Sequence, residues 1–445
     1  MSAEARGRSA QIRPGARPLR GRGASLWAYI GVMPILLLLF IAVSVAATGF
    51  DLYLRARQAA YVASHRGAVP PAFAGAVTLE EHQRAADYER ARLRLGAAAS
   101  VFGLAVAVGW AVFGYDALYG WVAGALPPGI PRGVAFLVAA GAVSSLLGLP
   151  FALLRTFGIE ARFGFNRTTP GRFALDRIKG WALSLALSAP LLAGLLWLMR
   201  QPPVAGVPWW AWAWLGLMAL MLGLMDLYPR VIAPMFNRFT PLEGPLRTRI
   251  EGLLERCGFQ AGGLFVMDAS RRSAHGNAYF SGLGRSKRIV LFDTLIASNP
   301  EAELEAVLAH ELGHFKLNHI LLGLLQSAAL TLVGLFCIGW LLRQPWLLPG
   351  FGIAHQDDAL ALVVGVLVVQ MAGPLLGIMA NWVSRRHEYQ ADDFARRLVG
   401  VEPMAGALLR LSRDNASTLT TDPLYALVNF SHPPVPLRVA RLREA

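Results

Sequence analysis

The feature that most constrains this chain is a set of seven stretches of predominantly apolar residues. About 20 such residues in a helix cross the hydrocarbon core of a bilayer. The stretches lie near Ser25–Ala47, Leu95–Tyr119, Gly133–Leu154, Trp181–Leu198, Trp209–Tyr228, Ile320–Leu342 and Ala359–Val383. Hydrophobic residues make up 55% of the 445 residues and charged residues only 16%, whereas soluble domains carry about 25% charged residues. The sequence therefore predicts an all-α polytopic membrane protein, and its hydrophobicity excludes disorder over most of the length.

The distribution of arginine indicates how the spans are oriented. The loops after the first, third, fifth and seventh spans are rich in arginine, whereas the alternate loops contain little beyond Arg132, Arg200 and Arg343. Because short cytoplasmic loops carry the excess positive charge, we expect these odd loops and the C-terminus to be cytoplasmic and the N-terminus to be outside. The basic N-terminal tail does not fit this assignment, because the assignment places its arginines outside. The excess of arginine over lysine, with abundant alanine and glycine, is typical of bacterial genes and predicts a bacterial inner (cell) membrane.

The same pattern divides the chain into five segments. They are a basic N-terminal tail at 1–24, the first five spans at 25–229, a cytoplasmic segment with the motif HExxH at 230–319, spans six and seven at 320–383, and a cytoplasmic C-terminal segment at 384–445. The net charge of +14 follows the loops and forms no compact basic motif, so nucleic acid is not expected as a partner. Two cysteines, Cys257 and Cys337, are too few for a disulfide scaffold or a four-cysteine zinc site.

A metal-binding motif lies in the cytoplasmic segment at 230–319. His310, Glu311 and His314 spell HExxH within EAELEAVLAHELGHFKLNH at residues 301–319. Pro300 and the acidic residues that follow it suit the start of a helix. Positions i and i+4 share one face of a helix, so the two imidazoles can bind one zinc ion while Glu311 acts on water as the general base. The alternative is a chance match on a charged helix.

A catalytic zinc ion needs a third protein ligand. Glu388, in SRRHEYQADDFA, is the better candidate because this segment continues the seventh span on the membrane face where the HExxH helix leads into the sixth. Asp392, one turn further on, can accept a hydrogen bond from the outer nitrogen of a ligand histidine. The alternative for Glu388 is a solvated helix charge beside Arg385 and Arg386.

Two further histidines flank this constellation without matching its helical face. His387 precedes Glu388 by one position and so faces about 100° away on a helix. His319 lies five residues beyond His314, off the stripe of the motif. We interpret both as surface or interfacial residues.

At these motifs the sequence resembles the type I CAAX prenyl endopeptidases, which are seven-span zinc metalloproteases of the gluzincin class. The resemblance begins with HELGHFKLNH and SRRHEYQAD. It extends to FGFNRTT at 163–169, PMFNRFTPLE at 234–243, DASRRSAHGNAYFSGLGRSKRIVLFDTL at 268–295 and NFSHPPVPLRVARL at 429–442. Together these segments cover nearly everything from the third loop to the C-terminus.

The resemblance implies a fold and a metal site. Seven transmembrane helices would ring an internal chamber, with a gluzincin-type zinc protease domain and a small β-hairpin or sheet at its cytoplasmic end. His310, His314 and Glu388 would bind one zinc ion per chain, and Glu311 would be the general base.

Four further residues match family positions near the substrate. Asn277 and Ala278 match an edge strand that binds the substrate backbone, and His432 and Arg438 match residues near the scissile carbonyl. From the residues alone, the strand-like runs NAYF and RIVLF fit equally well an ordinary hairpin or a sheet edge that a peptide extends. His432 in SHPPVPLR is either a loop residue of no consequence or a donor to the oxyanion.

The sequence thus predicts a membrane-embedded zinc metalloendopeptidase that acts near the C-terminus of prenylated CaaX-type or similar peptides. Its expected partners are a peptide or protein substrate and the lipid bilayer, while the natural substrate and the oligomeric state stay open. One alternative is a membrane quality-control metalloprotease of broader specificity. Another is a metal transporter or channel, which has no need of Glu311.

Overall fold

α-Helices dominate the part of the chain that the computed structural model describes, residues 34–259, 262–282 and 287–444. The predicted basic tail and the first part of the predicted first span lie outside the described residues. The helices are α1 (Ile35–Ser64), α2 (Leu79–Gly109), α3 (Tyr115–Ala125), α4 (Ile130–Leu153), α5 (Pro170–Met199), α6 (Trp209–Leu227), α7 (Pro245–Arg256), α8 (Asp293–Ser298), α9 (Glu301–Lys316), α10 (His319–Leu341), α11 (Asp358–Gln370), α12 (Gly373–Val399), α13 (Val401–Asp414), α14 (Pro423–Asn429) and α15 (Val435–Glu444).

Among the described residues, six helical segments are long and apolar enough to cross a membrane, and a seventh is present if the bent pair α11–α12 counts as one span. Short π-helical turns extend several of them. The six segments are Ile35–Ser64, Leu79–Ala125, Ile130–Glu160, Pro170–Met199, Trp209–Met235 and His319–Leu341. Each contains most of one predicted span, so the predicted all-α polytopic membrane fold is confirmed.

Helix α2 begins well before the span that the sequence predicts at Leu95. A capping box explains the early start. Glu81 N donates to Thr78 Oγ1 at 3.2 Å, and Thr78 N donates in return to Glu81 Oε2 at 2.8 Å. These bonds satisfy backbone groups that the first turn of a helix leaves free. Much of the long polar loop after the first span is therefore helical.

The seventh span is broken rather than straight. Its two halves, α11 and α12, meet at an angle of 53°. Pro374 in the first turn of α12 has no backbone N–H to donate to the preceding turn, which explains why α11 cannot continue through it. Beyond the bend, α12 runs without interruption to Val399 and so carries Glu388 on a rigid element.

A small sheet lies beside the spans, with strands in the order β1-β2-β4-β3. The strands are β1 (Phe239–Pro241), β2 (Leu264–Met267), β3 (Ala278–Ser281) and β4 (Arg288–Phe292). The predicted hairpin is present as the antiparallel pair β3–β4, in which Ala278 lies opposite Leu291. Strand β2 pairs in parallel with the other side of β4. Among the described residues β3 is therefore an edge strand.

Helix α9 lies in the centre of the largest apolar core described outside the spans. Its apolar face packs with α7, β4 and α13, and side chains at this contact are at most 2% exposed. Such side chains are Ile250, Leu253, Ile289, Leu291, Leu304, Leu308 and Met404. Glu305 of α9 also accepts hydrogen bonds from Arg249 at 2.6 Å and Arg256 at 2.5 Å. This packing holds the HExxH helix in place.

Candidate active site

Helix α9 presents the two histidines of HExxH on one face. The helix begins at Glu301 after Pro300, with Glu301 and Glu303 in the first turn as the helix dipole favours. His310 Nε2 and His314 Nε2 lie 3.2 Å apart. One turn of α9 therefore brings two potential ligand nitrogens together.

Helix α12 brings Glu388 to the same point. Its Oε2 lies 3.5 Å from His310 Nε2, and its Oε1 lies 3.3 Å from His314 Nε2. The two helices approach this closely because the motif has glycine at position 313. A Cβ there would lie only 3.0 Å from Ala391 Cα and 3.2 Å from Ala391 O. The glycine thus sets the distance between the histidines and the carboxylate.

These three side chains fit a zinc ion. One ligand atom from each lies within 4.8 Å of the others. Ligand atoms about 2.0–2.2 Å from a tetrahedral zinc ion are themselves about 3.3 Å apart, which matches the separations given above. Glu388 Oε2 is also buried and makes no hydrogen bond within the described residues, although Arg438 Nη1 lies 3.2 Å away. A buried carboxylate oxygen needs positive partners, and a metal ion bound by the trio would supply one in addition to this guanidinium.

Asp392 and Arg438 surround this trio. His310 Nδ1 lies 3.0 Å from Asp392 Oδ1, the contact that the sequence predicts. Arg438 is only 6% exposed and donates to both Asp392 oxygens, at 2.7 and 2.5 Å. Its Nη1 also lies 3.2 Å from Glu388 Oε2. Burial disfavours a charged His310, but the neighbouring carboxylates outweigh that effect and raise the pKa of His310 to about 9.

Glu311 lines a cavity of about 190 Å³ together with two members of the trio, His310 and Glu388. It is half-buried, and burial raises the pKa of its carboxyl above the ordinary value for glutamate, against the opposing effect of His310. A general base works best when its pKa approaches the working pH. Its position and environment suit proton transfer to and from a reactant in that cavity.

The structure brings His432 and Arg438 to the trio in different ways. His432 is exposed, and its Nε2 lies 3.3 Å from Glu388 Oε1. It lines the same small cavity as Glu311. Arg438 lines that cavity too, but its guanidinium is bonded to Asp392. His432 is therefore the more accessible donor, whereas Arg438 balances the charge of the carboxylates.

Asn277 and Ala278 lie where edge strand β3 begins, and both line the small cavity. Asn415, directly after α13, fixes the backbone just before β3. This residue was not predicted from the sequence. Its Oδ1 accepts from Gly276 N at 3.1 Å, and its Nδ2 donates to Gly276 O at 3.3 Å. No sequence signal marks this contact, because the two residues are 139 positions apart.

A larger cavity of about 1000 Å³ adjoins the small one. The two share Gly276, Asn277 and Asn415. Charged side chains of α2, of α5 and of the π-helical turn after α4 line the larger cavity; they are Arg92, Arg155, Glu160, Asp176 and Arg177. Three membrane-spanning segments therefore contribute charged side chains to an open cavity beside the candidate active site.

The interpretation of His319 as a surface or interfacial residue is wrong. His319 is 6% exposed, and its Nδ1 lies 3.1 Å from His314 Nδ1. His387 is half-buried, and its ring stacks on that of His319 at 4.1 Å between centroids. The prediction assumed a continuous helix to His319. Helix α9 instead ends at Lys316, and Asn318 adopts a left-handed conformation with φ of 58°.

Comparison with known proteins gives consistent matches over most of the chain. Residues 58–238 match the family model described as CAAX prenyl protease N-terminal, five membrane helices, and residues 242–445 match Peptidase family M48. A CAAX prenyl protease 1 homolog of Oryza sativa is 40% identical over 70% of this chain and 73% of its own length. CAAX prenyl protease 1 of Saccharomyces cerevisiae is 31% identical over 90% and 93%, respectively. The crystal structure of S. mikatae Ste24p is 30% identical, covers 92% of this chain and 100% of its own, and superposes with a TM-score of 0.85.

Proposed function

The chain belongs to the CAAX prenyl protease 1 family of membrane-embedded zinc metalloendopeptidases, and from that premise we propose that it cleaves prenylated CaaX-type peptides near their C-terminus. The names of the relatives supply this substrate class. The observation that supports this reaction is the convergence of His310, His314 and Glu388, two of which line the same cavity as Glu311.

We propose that His310, His314 and Glu388 hold one zinc ion per chain. Their separations of 3.2, 3.3 and 3.5 Å support this assignment. When bound, zinc supplies Lewis-acid chemistry, since it polarises a carbonyl and makes water more acidic. Asp392 orients His310 by accepting from its Nδ1–H, and Arg438 keeps two buried carboxylates close to one another.

The protein's own groups move the protons. Glu311 accepts a proton from the attacking water and passes it to the leaving amine, a role that its raised pKa favours. His432 donates a hydrogen bond to the carbonyl oxygen as that oxygen gains negative charge. Its exposure to the cavity and its position beside Glu388 support this role.

The substrate backbone adds to the edge of the sheet. Strand β3 has a free edge among the described residues, and Asn277 and Ala278 at its start line the small cavity. A peptide that pairs with a sheet edge is held by main-chain bonds, which tolerate many sequences. Such pairing places a peptide bond beside Glu311.

The protein is an integral multi-pass membrane protein, and we propose that its active site faces the cytoplasm. The arginine-rich loops support this orientation. The relatives named above are eukaryotic, so the prediction of a bacterial membrane rests on composition alone. The proposed partners are a peptide or protein substrate and the bilayer. Nucleic acid is not expected as a partner, because the arginines follow the loops and form no compact basic motif.

Two alternatives are less favoured. A membrane quality-control metalloprotease would share the metal site, but the family match extends across the membrane helices as well as the protease segment. A metal transporter or channel would need the ligands but not Glu311, which lines one cavity with His310 and Glu388.

A cleavage assay on the purified protein tests the proposal. The substrates are a farnesylated CaaX peptide and the same peptide without the lipid, each with and without a zinc chelator. We expect the farnesylated peptide to be cleaved faster and the chelator to abolish cleavage of both. Equal cleavage of the two peptides would favour the broader protease, and chelator-resistant cleavage would contradict the metal mechanism.

A further inference from the structure

We infer that His319 is a positioning residue that fixes the ring of His314 through a hydrogen-bond chain ending at Gln390. This inference rests on the proposed function, because it assigns His314 Nε2 to the metal. The chain has two links. His314 Nδ1 lies 3.1 Å from His319 Nδ1, and His319 Nε2 lies 2.8 Å from Gln390 Oε1.

The direction of the chain follows from the chemistry of imidazole. A neutral ring has one N–H donor and one acceptor nitrogen. His314 Nε2 faces His310 and Glu388, so its lone pair must be free to bind a cation and the proton of His314 belongs on Nδ1. That N–H donates to His319 Nδ1. His319 then carries its own proton on Nε2 and donates it to the amide oxygen of Gln390.

The two ligand histidines are thus held by different groups. His310 donates to the carboxylate of Asp392 at 3.0 Å, whereas His314 donates to a second imidazole. Partners of this kind fix the tautomer and orientation of ligand histidines, and their loss typically weakens metal binding about 10- to 100-fold. The neutral imidazole fixes His314 without adding a third buried carboxylate to Glu388 and Asp392.

The local backbone places His319 for this role. A continuous α-helix would turn a residue five positions beyond His314 by about 140° from it. Asn318 instead has φ of 58° and ψ of 24°, a left-handed conformation that asparagine tolerates better than most residues. This single residue ends the turn after α9 and starts α10 with His319 directed at His314.

Packing restricts the ring of His319 as well. The ring is 6% exposed and stacks on His387 with an interplanar angle of 7°. His387 and Gln390 both belong to α12, the helix that also carries Glu388. His319 therefore ties the start of α10 to α12 through two contacts, and both contacts act on the orientation of His314.

Zinc affinity of the full-length protein in detergent, measured by competition with a chelator, tests the inference. We expect His319→Ala to weaken zinc binding about 10- to 100-fold. His319→Gln should restore part of the affinity because its side-chain oxygen can accept the same hydrogen bond. Gln390→Ala, at an exposed position, should weaken binding by a smaller factor. His355→Ala is the matched control, since that imidazole pairs with Asp116 of α3 and contacts none of the site residues named above.

Two further measurements separate positioning from simple packing. The visible spectrum of the cobalt(II)-loaded protein should change in His319→Ala and return toward wild type in His319→Gln. At saturating zinc, His319→Ala should lower kcat with little change in KM. Wild-type zinc affinity in both His319→Ala and Gln390→Ala would overturn the inference, as would equal losses in His319→Ala and His319→Gln. Failure of the wild-type protein to bind zinc, or full zinc binding by Glu388→Ala, would instead overturn the proposed function.

Discussion

At the scale of single residues, the adjacent carboxylates Asp392 and Asp393 on α12 form ion pairs that differ in burial. Asp392 is 1% exposed and forms a bidentate pair with Arg438, itself 6% exposed. Asp393 pairs with Arg441 at 2.9 Å, but both of these side chains are accessible to water. Both arginines belong to α15. The structure thus contains a buried pair and an exposed pair between the same two helices.

The buried pair should matter far more for stability. Removal of one partner from a buried ion pair costs about 3–5 kcal/mol because the other charge stays buried. We expect that loss of unfolding free energy for Arg438→Ala. The matched change Arg441→Ala should cost at most about 1 kcal/mol, as for exposed pairs. Chemical denaturation in detergent measures both, and similar losses in the two variants would contradict the assigned difference.

Glu311 separates metal binding from catalysis. Glu311→Gln keeps the shape of the side chain but cannot accept a proton, so we expect the variant to retain zinc and to lose about 10²- to 10⁴-fold in turnover. Zinc content by elemental analysis and cleavage of the farnesylated peptide measure the two properties. Near wild-type turnover in a zinc-loaded variant would rule out Glu311 as the general base and revive the transporter hypothesis.

His432 is expected to act mainly in the transition state. Loss of one donor to a developing oxyanion raises the activation free energy by about 2.7–4 kcal/mol. His432→Ala should therefore lower kcat by roughly two to three orders of magnitude, while KM changes less. Zinc content should stay unchanged, because His432 contacts Glu388 without belonging to the trio. An increase in KM alone would make His432 a substrate-binding residue instead.

At the scale of secondary-structure elements, the site depends on how closely α9 and α12 approach. Gly313 lies at their contact, where any side chain would meet the backbone of Ala391. Gly323 in α10 offers a comparison, because a Cβ there would meet nothing within 4 Å. Both are helical glycines, so the two positions differ mainly in the space around them.

We therefore expect Gly313→Ala to move α12 away from α9 and to weaken zinc binding. Gly323→Ala should leave zinc binding unchanged, and the higher helix propensity of alanine should make that variant no less stable than wild type. Chelator competition measures the zinc affinity of each variant. Equal affinities in the two variants would show that the contact at Gly313 does not set the position of Glu388.

At the scale of the whole molecule, the site lies at one end of the membrane-spanning helices. The cavity that adjoins it is lined by side chains of α2, α4 and α5 and of the π-helical turn after α4. From the loop before α11 the chain passes through α11 and much of α12 before it reaches Glu388, which contacts Arg438 of α15. The orientation of the molecule therefore decides which compartment supplies the substrate.

Thiol labelling of intact cells tests the proposed orientation. Cys257 and Cys337 are first replaced by serine, and one cysteine is then introduced at Gln356 or at Arg443, both exposed. An impermeant reagent added outside should label Gln356→Cys, near Asp357, but not Arg443→Cys until the membrane is opened. The reverse pattern would place the active site outside and invert the arginine-based assignment.

Local signals in the sequence determined much of this protein. The number and approximate positions of the spans follow from hydropathy, and the pairing of His310 with His314 follows from the period of one helix. Glu388 could be predicted as the candidate third ligand because two spans return the chain to the same membrane face. The hairpin β3–β4 was likewise predictable, since its strands are close in sequence.

Three features were decided only by the tertiary structure: the place of β2 in the sheet, the contact between Asn415 and Gly276, and the position of His319. Each depends on residues distant in sequence or on one backbone conformation. The parallel pairing of β2 with β4 and the bond between Asn415 and Gly276 join residues with no local signal. His319 was misassigned because helical periodicity applies only while the helix continues, and the left-handed Asn318 interrupts it. Periodicity predicts which residues share a face of one element, whereas packing between elements decides which of those faces meet.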